Sequence, residues 1–229
     1  PDHCAGLLSL SGLSSLGLRP PGTAIENSIT RARIHAPSGE SILIERGRDE
    51  AVVVCRREFD RWLASRASDV GVDISLSTPV RGLVWDQRSV AGVITGKERL
   101  ERRARVVIDA EGFRCLVSSQ AGLPPVAGRA ILPAYQYEVQ NVDVEDDTVE
   151  MFYGRSIALG FFAWIIPLGE RRARVGLAAR DRTRARLDAV IKHHPVIGTM
   201  LSGQRVERGL GGVVISGKPV ERTCRDGLL

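Results

Sequence analysis

Phe161-Phe162-Ala163-Trp164-Ile165-Ile166-Pro167 places three aromatics within four residues, in a chain of 229 residues that holds three Trp, three Tyr and five Phe in all. On a strand, residues two apart share a face. Phe162, Trp164 and Ile166 are therefore expected to project together, and Phe161, Ala163 and Ile165 the other way. Pro167 closes the run, and a second strand-like segment follows with Gly176 inside Ala173-Arg174-Val175-Gly176-Leu177-Ala178. The chemistry open to such a face is exclusion of water around a flat apolar ligand; the same pattern also suits a plain core strand.

The polar residues exclude several chemistries. Cys4, Cys55, Cys115 and Cys224 are far apart and form no Cys-x-x-Cys, which argues against zinc and against a disulfide framework and points to a reducing cytoplasm. His193-His194-Pro195 has no Cys or carboxylate companion in sequence, and the acidic run from Asp143 to Asp147 reads as a solvated turn rather than a chelating loop, so no metal site is expected. The 32 basic and 27 acidic residues leave a net charge of +5. That suits phosphorylated ligands or an anionic membrane face and is too diffuse for nucleic acid. Arg171, Arg172, Arg174, Arg180, Arg182, Arg184 and Arg186 crowd one span, where a solvated face is favoured over a headgroup contact. No run reaches the 18 or so apolar residues of a membrane span, and no signal peptide is visible. A start at Pro1 and an apolar end at Gly227-Leu228-Leu229 read as an internal piece of a longer protein.

The elements that must hold these residues follow from periodicity. A hairpin is expected across Pro37-Ser38-Gly39, between 32–36 and Ser41–Glu45. Ala51–Cys55 reads as a strand and Arg56–Gly71 as a helix, with Phe59, Trp62, Leu63, Ala67 and Val70 at helical spacing and Gly71 as its stop. Strand then helix is half of a βαβ unit. Short strands are expected at 72–76, 80–85 and 89–95, and a buried one at 105–110. Leu123-Pro124-Pro125 breaks the composition and marks a boundary. Beyond it, strands at 134–142, 148–153, 161–167 and 172–179 predict an antiparallel sheet, followed by a helix over 183–201 and a strand over 204–215.

Four segments together resemble the geranylgeranyl reductase family, archaeal type, within the FAD-dependent p-hydroxybenzoate hydroxylase-like superfamily. They are His3-Cys4-Ala5-Gly6-Leu7-Leu8-Ser9, Val54-Cys55-Arg56-Arg57-Glu58-Phe59-Asp60, Val106-Val107-Ile108-Asp109-Ala110-Glu111-Gly112, and the stretch from Phe162 to Gly176. They stand in the family's order and span nearly the whole chain. The family's Pro-x-x-Tyr-x-Trp-x-Phe-Pro pattern with a later Gly is matched by Trp164, Pro167 and Gly176, while Phe162 replaces the Tyr, Ile166 the Phe and Leu159 the first Pro.

The resemblance implies an α/β (α+β) fold with an incomplete FAD-binding βαβ-type domain over 1–123, an antiparallel-sheet substrate domain over 124–203, and a return strand over 204–229. It implies FAD as cofactor, with the reductant open between NAD(P)H and ferredoxin. Ala5, Gly6, Leu7, Arg56, Glu111 and Gly112 would touch that cofactor, and Cys4 would lie near the reacting atoms. Phe162, Trp164, Ile166, Pro167 and Gly176 would line the lipid site. Glu111 stands for the superfamily's Asp, and Cys115 for the Ser three residues after the Gly. The Gly-x-Gly-x-x-Gly fingerprint is expected ahead of residue 1, and a Gly-Asp-Ala-Ala-Gly segment after Leu229. Gly209-Leu210-Gly211-Gly212 does not supply the fingerprint, because it enters a strand rather than a helix. The implied function is reduction of isolated double bonds in a polyprenyl chain on an isoprenoid lipid or diphosphate, with peripheral membrane contact. The rivals are a flavin-dependent halogenase or monooxygenase of the same superfamily, and a lipid-binding relative that has lost its flavin.

Overall fold

A computed structural model describes residues 3–126 and 131–229. It resolves into two compact units, residues 1–72 with 132–214 and residues 73–131 with 215–229.

The first unit opens with β1 (Leu7–Ser9) and the short helix α1 (Leu10–Ser15), whose N-terminus is capped by Ser9 Oγ accepting from the Gly12 amide at 2.9 Å. β2 (Ile25–Ile29), β3 (Arg31–His35), β4 (Ser41–Glu45) and β5 (Ala51–Val54) follow, then helix α2 (Arg56–Asp69). β3 and β4 form the expected antiparallel hairpin. α2 stops where Gly71 takes a positive φ of 89° and its amide bonds to the Ser68 carbonyl at 2.9 Å. β5 has antiparallel neighbours on both sides, β1 and β2, so among the described residues the β5–α2 pair completes no parallel βαβ crossover.

The second unit carries the meander β6 (Val80–Asp86), β7 (Ser89–Thr95) and β8 (Leu100–Arg103), and helix α3 (Leu116–Gln120). Leu83, Val90, Val117, Ala121, Leu123 and Leu228 form its core. Two expected strands are absent. Residues 72–76 form no ladder, and their apolar side chains face solvent. Residues 105–110 contribute one isolated parallel bridge, Val107 to Leu228, and leave Val106 53% and Ile108 75% exposed. An apolar run becomes a buried strand only when neighbours pair both its edges, and a single bridge does not provide that.

The first unit resumes with β9 (Ile131–Gln140), β10 (Thr148–Tyr153), β11 (Phe162–Gly169), β12 (Arg172–Ala178), helices α4 (Thr183–His193) and α5 (Pro195–Met200), and β13 (Arg205–Ile215). The helix expected over 183–201 is two helices. Proline cannot continue the first, and it serves as the opening residue of the second, whose cap is His194 Nδ1 accepting from the Ile197 amide at 3.3 Å. The sheet runs β13-β9-β12-β11-β10-β3-β4. It is mixed rather than wholly antiparallel, because the β3–β4 hairpin joins it through a parallel β3–β10 pair. That pair joins residues 31–35 to 148–152 within the first unit.

One face of this sheet presents Phe152, Ala163, Ile165, Val175 and Leu177 to Leu187 and Val190 of α4 and Ile197 of α5. The other presents Trp164, Ile166 and Leu168 to Ile29 of β2 and Val53 of β5. Each Val, Leu, Ile or Phe side chain fully buried here contributes about 1.5–3 kcal/mol. No helix among the described residues is long and apolar enough to cross a membrane.

Candidate functional site

The pairing registers of β11, β12 and β9 set directly opposed residues in rows. Trp164, Gly176 and Gln136 form one row, and Ile166, Arg174 and Glu138 the next on the same face. Gly176 is fixed by its neighbours: a Cβ there would stand 2.6 Å from Trp164 Cζ2 and 2.7 Å from Gln136 Cβ. The missing side chain lets the indole lie across β12.

Phe162 sits on the same face, edge-on to Trp164 with centroids 6.1 Å apart. Phe161 was expected to face away. It precedes the first residue of β11, so strand alternation does not govern it, and it stacks on Phe162 at 4.2 Å. Pro167 pairs with Ala173 and, by alternation, points to the face opposite Trp164, while its carbonyl accepts from Asn27 Nδ2 at 3.0 Å. Ile166 is buried in the apolar cluster between the sheets.

A cavity of about 300 Å³ opens over the Trp164 row, lined by Cys4, Ala5, Arg56, Gln136, Trp164 and Val214 among others. Of the five residues expected to line a lipid site, Trp164 is the one that lines this cavity; of those expected at the flavin, Cys4, Ala5 and Arg56 line it. Gly6 adjoins Cys4 in a left-handed conformation, φ 80°, and donates its amide to Cys4 Sγ at 3.4 Å. A Cβ on Gly6 would collide with the Val54 carbonyl and stand 2.6 Å from Arg174 Nη1, so a glycine is required by the protein's own packing. Leu7 lies in β1, opposite Val53. Arg56, the first residue of α2, pairs with Asp60 one turn on at 3.0 Å. Burial works against the Arg56 charge, and Asp60 together with the Cys4 sulfur more than offsets it, raising its pKa further.

Glu111 and Gly112 belong to the second unit. Glu111 Oε1 accepts from the Val117 amide at 2.6 Å and the Ser118 amide at 3.4 Å, which caps the first turn of α3. Gly112 has a positive φ of 77° and open space where a Cβ would lie.

Sequence reasoning missed Arg174, which it placed on a solvated arginine face. Arg174 is 3% exposed. Its Nε donates to Glu138 at 2.9 Å, its Nη2 to Glu26 at 2.5 Å, and its Nη1 to the carbonyls of Ala5 at 2.9 Å and Val54 at 3.3 Å. Arg208 closes the network on Glu138 at 2.7 Å. Burial pushes the Glu138 pKa up, but Arg208 and Arg174 outweigh it and hold the carboxyl below its usual range. The signal was available: Arg174 stands two residues before Gly176, on the same face of the strand. Gln136 was missed as well. It is buried, and its Oε1 and the Trp164 Nε1 have no hydrogen-bond partner.

The acidic run is not simply solvated. Arg33 bridges Glu145 at 2.8 Å and Glu150 at 2.6 Å, Arg31 binds Asp147, and Thr30 Oγ1 donates to Asp147 at 2.6 Å. His35 meets the buried Glu150 at 2.5 Å.

A family model described as the geranylgeranyl reductase catalytic domain matches residues 130–202. A protein named digeranylgeranylglycerophospholipid reductase 2, from Methanopyrus kandleri, is 35% identical over 239 residues, covering 100% of this chain and 59% of that protein. The crystal structure of a geranylgeranyl bacteriochlorophyll reductase-like protein from Thermoplasma acidophilum superposes with a TM-score of 0.91 at 29% identity, over 100% of this chain and 60% of that one. A flavin-dependent brominase shares the fold, with a TM-score of 0.82 at 16% identity over 100% of this chain and 62% of its own. The chain thus spans about 60% of the length of the relatives it matches. The chain is thus similar over its full length to geranylgeranyl reductases, with residues 130–202 matching that family's catalytic-domain model, and it shares its fold with a flavin-dependent brominase.

Proposed function

We propose that the full-length protein is an FAD-dependent reductase that saturates isolated carbon–carbon double bonds of geranylgeranyl chains, on isoprenoid lipids or diphosphates. The observation that carries this reading is the cavity in which a thiol, a guanidinium, an indole and the Gln136 carboxamide meet among apolar side chains, in a chain whose relatives are named as reductases of such lipids. Two buried polar atoms without protein partners, Gln136 Oε1 and Trp164 Nε1, stand in the row under it. A planar group whose rim carries both donors and acceptors suits that composition, so the residues present fit a flavin in kind.

When bound, reduced flavin supplies hydride to one alkene carbon. The chain's own residues do the rest. Trp164 walls the prenyl chain and keeps water out; at about 25 cal/mol per Å² of apolar area, each isoprene unit buried along such a wall contributes a few kcal/mol. Cys4 holds a proton on Sγ for the second carbon, with the Arg56 guanidinium beside it to stabilise the thiolate left behind. Ala5, Gly6, Leu7, Glu111 and Gly112 are assigned to the cofactor, and Phe162, Ile166 and Gly176 support the wall, while Pro167 lies on the other face of the sheet. Residues 1–123 and 204–229 are assigned to the flavin-binding part and 124–203 to the substrate part. The reductant is NAD(P)H or ferredoxin, and contact with the membrane that holds the lipid is peripheral.

The reading is tested by incubating the full-length protein with FAD, a chemical reductant and a geranylgeranylated lipid, then weighing the product. A gain of two hydrogens per double bond is expected. Unchanged lipid beside fully reduced flavin would overturn it.

A further inference from the structure

Four consecutive carbonyls of the segment that carries Cys4 are each taken by a group outside it. Gln136 Nε2 donates to those of His3 at 3.5 Å and Cys4 at 3.4 Å, Arg174 Nη1 to that of Ala5 at 2.9 Å, and the Val54 amide to that of Gly6 at 2.9 Å. Gln136 and Arg174 stand on neighbouring strands, in adjacent rows of one sheet face. The segment itself is outside any strand and lies on the cavity wall.

Stability alone does not call for a guanidinium here. A buried ion-pair network can often be replaced by well-packed apolar side chains at no loss, and this one brings Glu26, Glu138 and Arg208 with it. What an apolar side chain cannot do is fix a carbonyl in direction. The planar fork of Arg174, held at Nε by Glu138 and at Nη2 by Glu26, leaves Nη1 with one aim, shared by the Ala5 and Val54 carbonyls. Gly6 permits that approach, since a Cβ would stand 2.6 Å from Nη1.

We propose that Arg174 is the positioning residue for Cys4, with Gln136 as the second clamp: it sets the backbone of the 3–6 segment so that the Cys4 sulfur keeps its place on the cavity wall beside Arg56. This rests on the reading of Cys4 as the group that faces substrate.

The test uses full-length, flavin-loaded protein with Arg174→Met and Arg174→Lys, and Gln136→Leu as a second probe should the first not fold. Two quantities are read: the rate at which a small alkylating reagent modifies Cys4, with the exposed Cys224 as internal reference, and the division of any loss between kcat and KM. In folded Arg174→Met, Cys4 reactivity should shift several-fold while Cys224 reacts as before. Displacing a reacting group by about 1 Å costs about 10²-fold, so kcat should fall by that order with KM little changed. Arg174→Lys, which keeps the charge but not the fork, should recover part of the loss. Wild-type Cys4 reactivity and wild-type kcat in the folded variants would overturn the proposal. The alkylation arm decides it even for a protein that turns over no prenyl substrate, an outcome that would sink the reductase reading by itself.

Discussion

Residue by residue, the proposed chemistry rests on Cys4, Trp164 and Gly176. If Cys4 delivers the proton, Cys4→Ser in the full-length protein should keep flavin content and slow substrate reduction by about 10²–10⁴-fold, the usual worth of general acid assistance. A buried thiol with no such role would alter stability and leave the rate alone. Gly176→Ala tests the wall. Its Cβ would intrude on Trp164 and Gln136 at 2.6 and 2.7 Å, with the Gln136 contact at a side-chain atom next to the backbone. Overpacking of this kind costs about 1–3 kcal/mol, so a lower thermal midpoint is expected together with impaired turnover on long prenyl chains. A variant as stable and active as wild type would show that the indole can move aside. The aromatic strand and the returning strand with its glycine were legible in the sequence; the Trp164 to Gly176 register was not, because β11 runs on to Gly169 through an irregularity after Pro167. Arg174 was not, since seven arginines in sixteen positions from 171 to 186 read as one charged surface until the register separates them.

At the scale of elements, the parallel pair β3–β10 decides how the sheet is assembled, and it is tied by charge as well as by its ladder. Hydrogen bonds from Arg31 and Thr30 hold the Asp147 carboxyl down at about 2, against an ordinary value of 3.8. A depressed carboxylate contributes stability above its unfolded pKa and loses it as pH falls through the folded one. The contribution of Asp147 should therefore be complete above about pH 4 and vanish toward pH 2. Asp147→Asn should unfold at lower urea than wild type at pH 6, with the gap closing on acidification; a gap independent of pH would remove the ion pair from the account. Asp147 is partly exposed, so the gap should be small and should shrink with salt. Local pattern was enough to read the β3–β4 hairpin and the end of α2, because Pro37-Ser38-Gly39 and the Gly71 stop act within a few residues. The parallel β3–β10 pairing joins residues over a hundred apart, and no local signal announces it. Residues 105–110 show the opposite failure: the run is apolar enough for a central strand, but only pairing makes one, and Ile108 stays exposed.

In the whole protein, reduced flavin and the Cys4 cavity are proposed to act together on an alkene. Trp164→Ala probes the cavity's share. Truncating a buried Trp costs about 3–5 kcal/mol, so stability is followed alongside, and a folded variant should lose rate on long prenyl substrates. The measurement that tests the claim most directly is a single half-reaction. Full-length protein is loaded with FAD, reduced under anaerobic conditions, and mixed with a geranylgeranylated lipid while flavin absorbance is followed. Reoxidation should require the lipid, match the double bonds consumed, and be slowed in Cys4→Ser. Flavin that stays reduced in the presence of the lipid would contradict it.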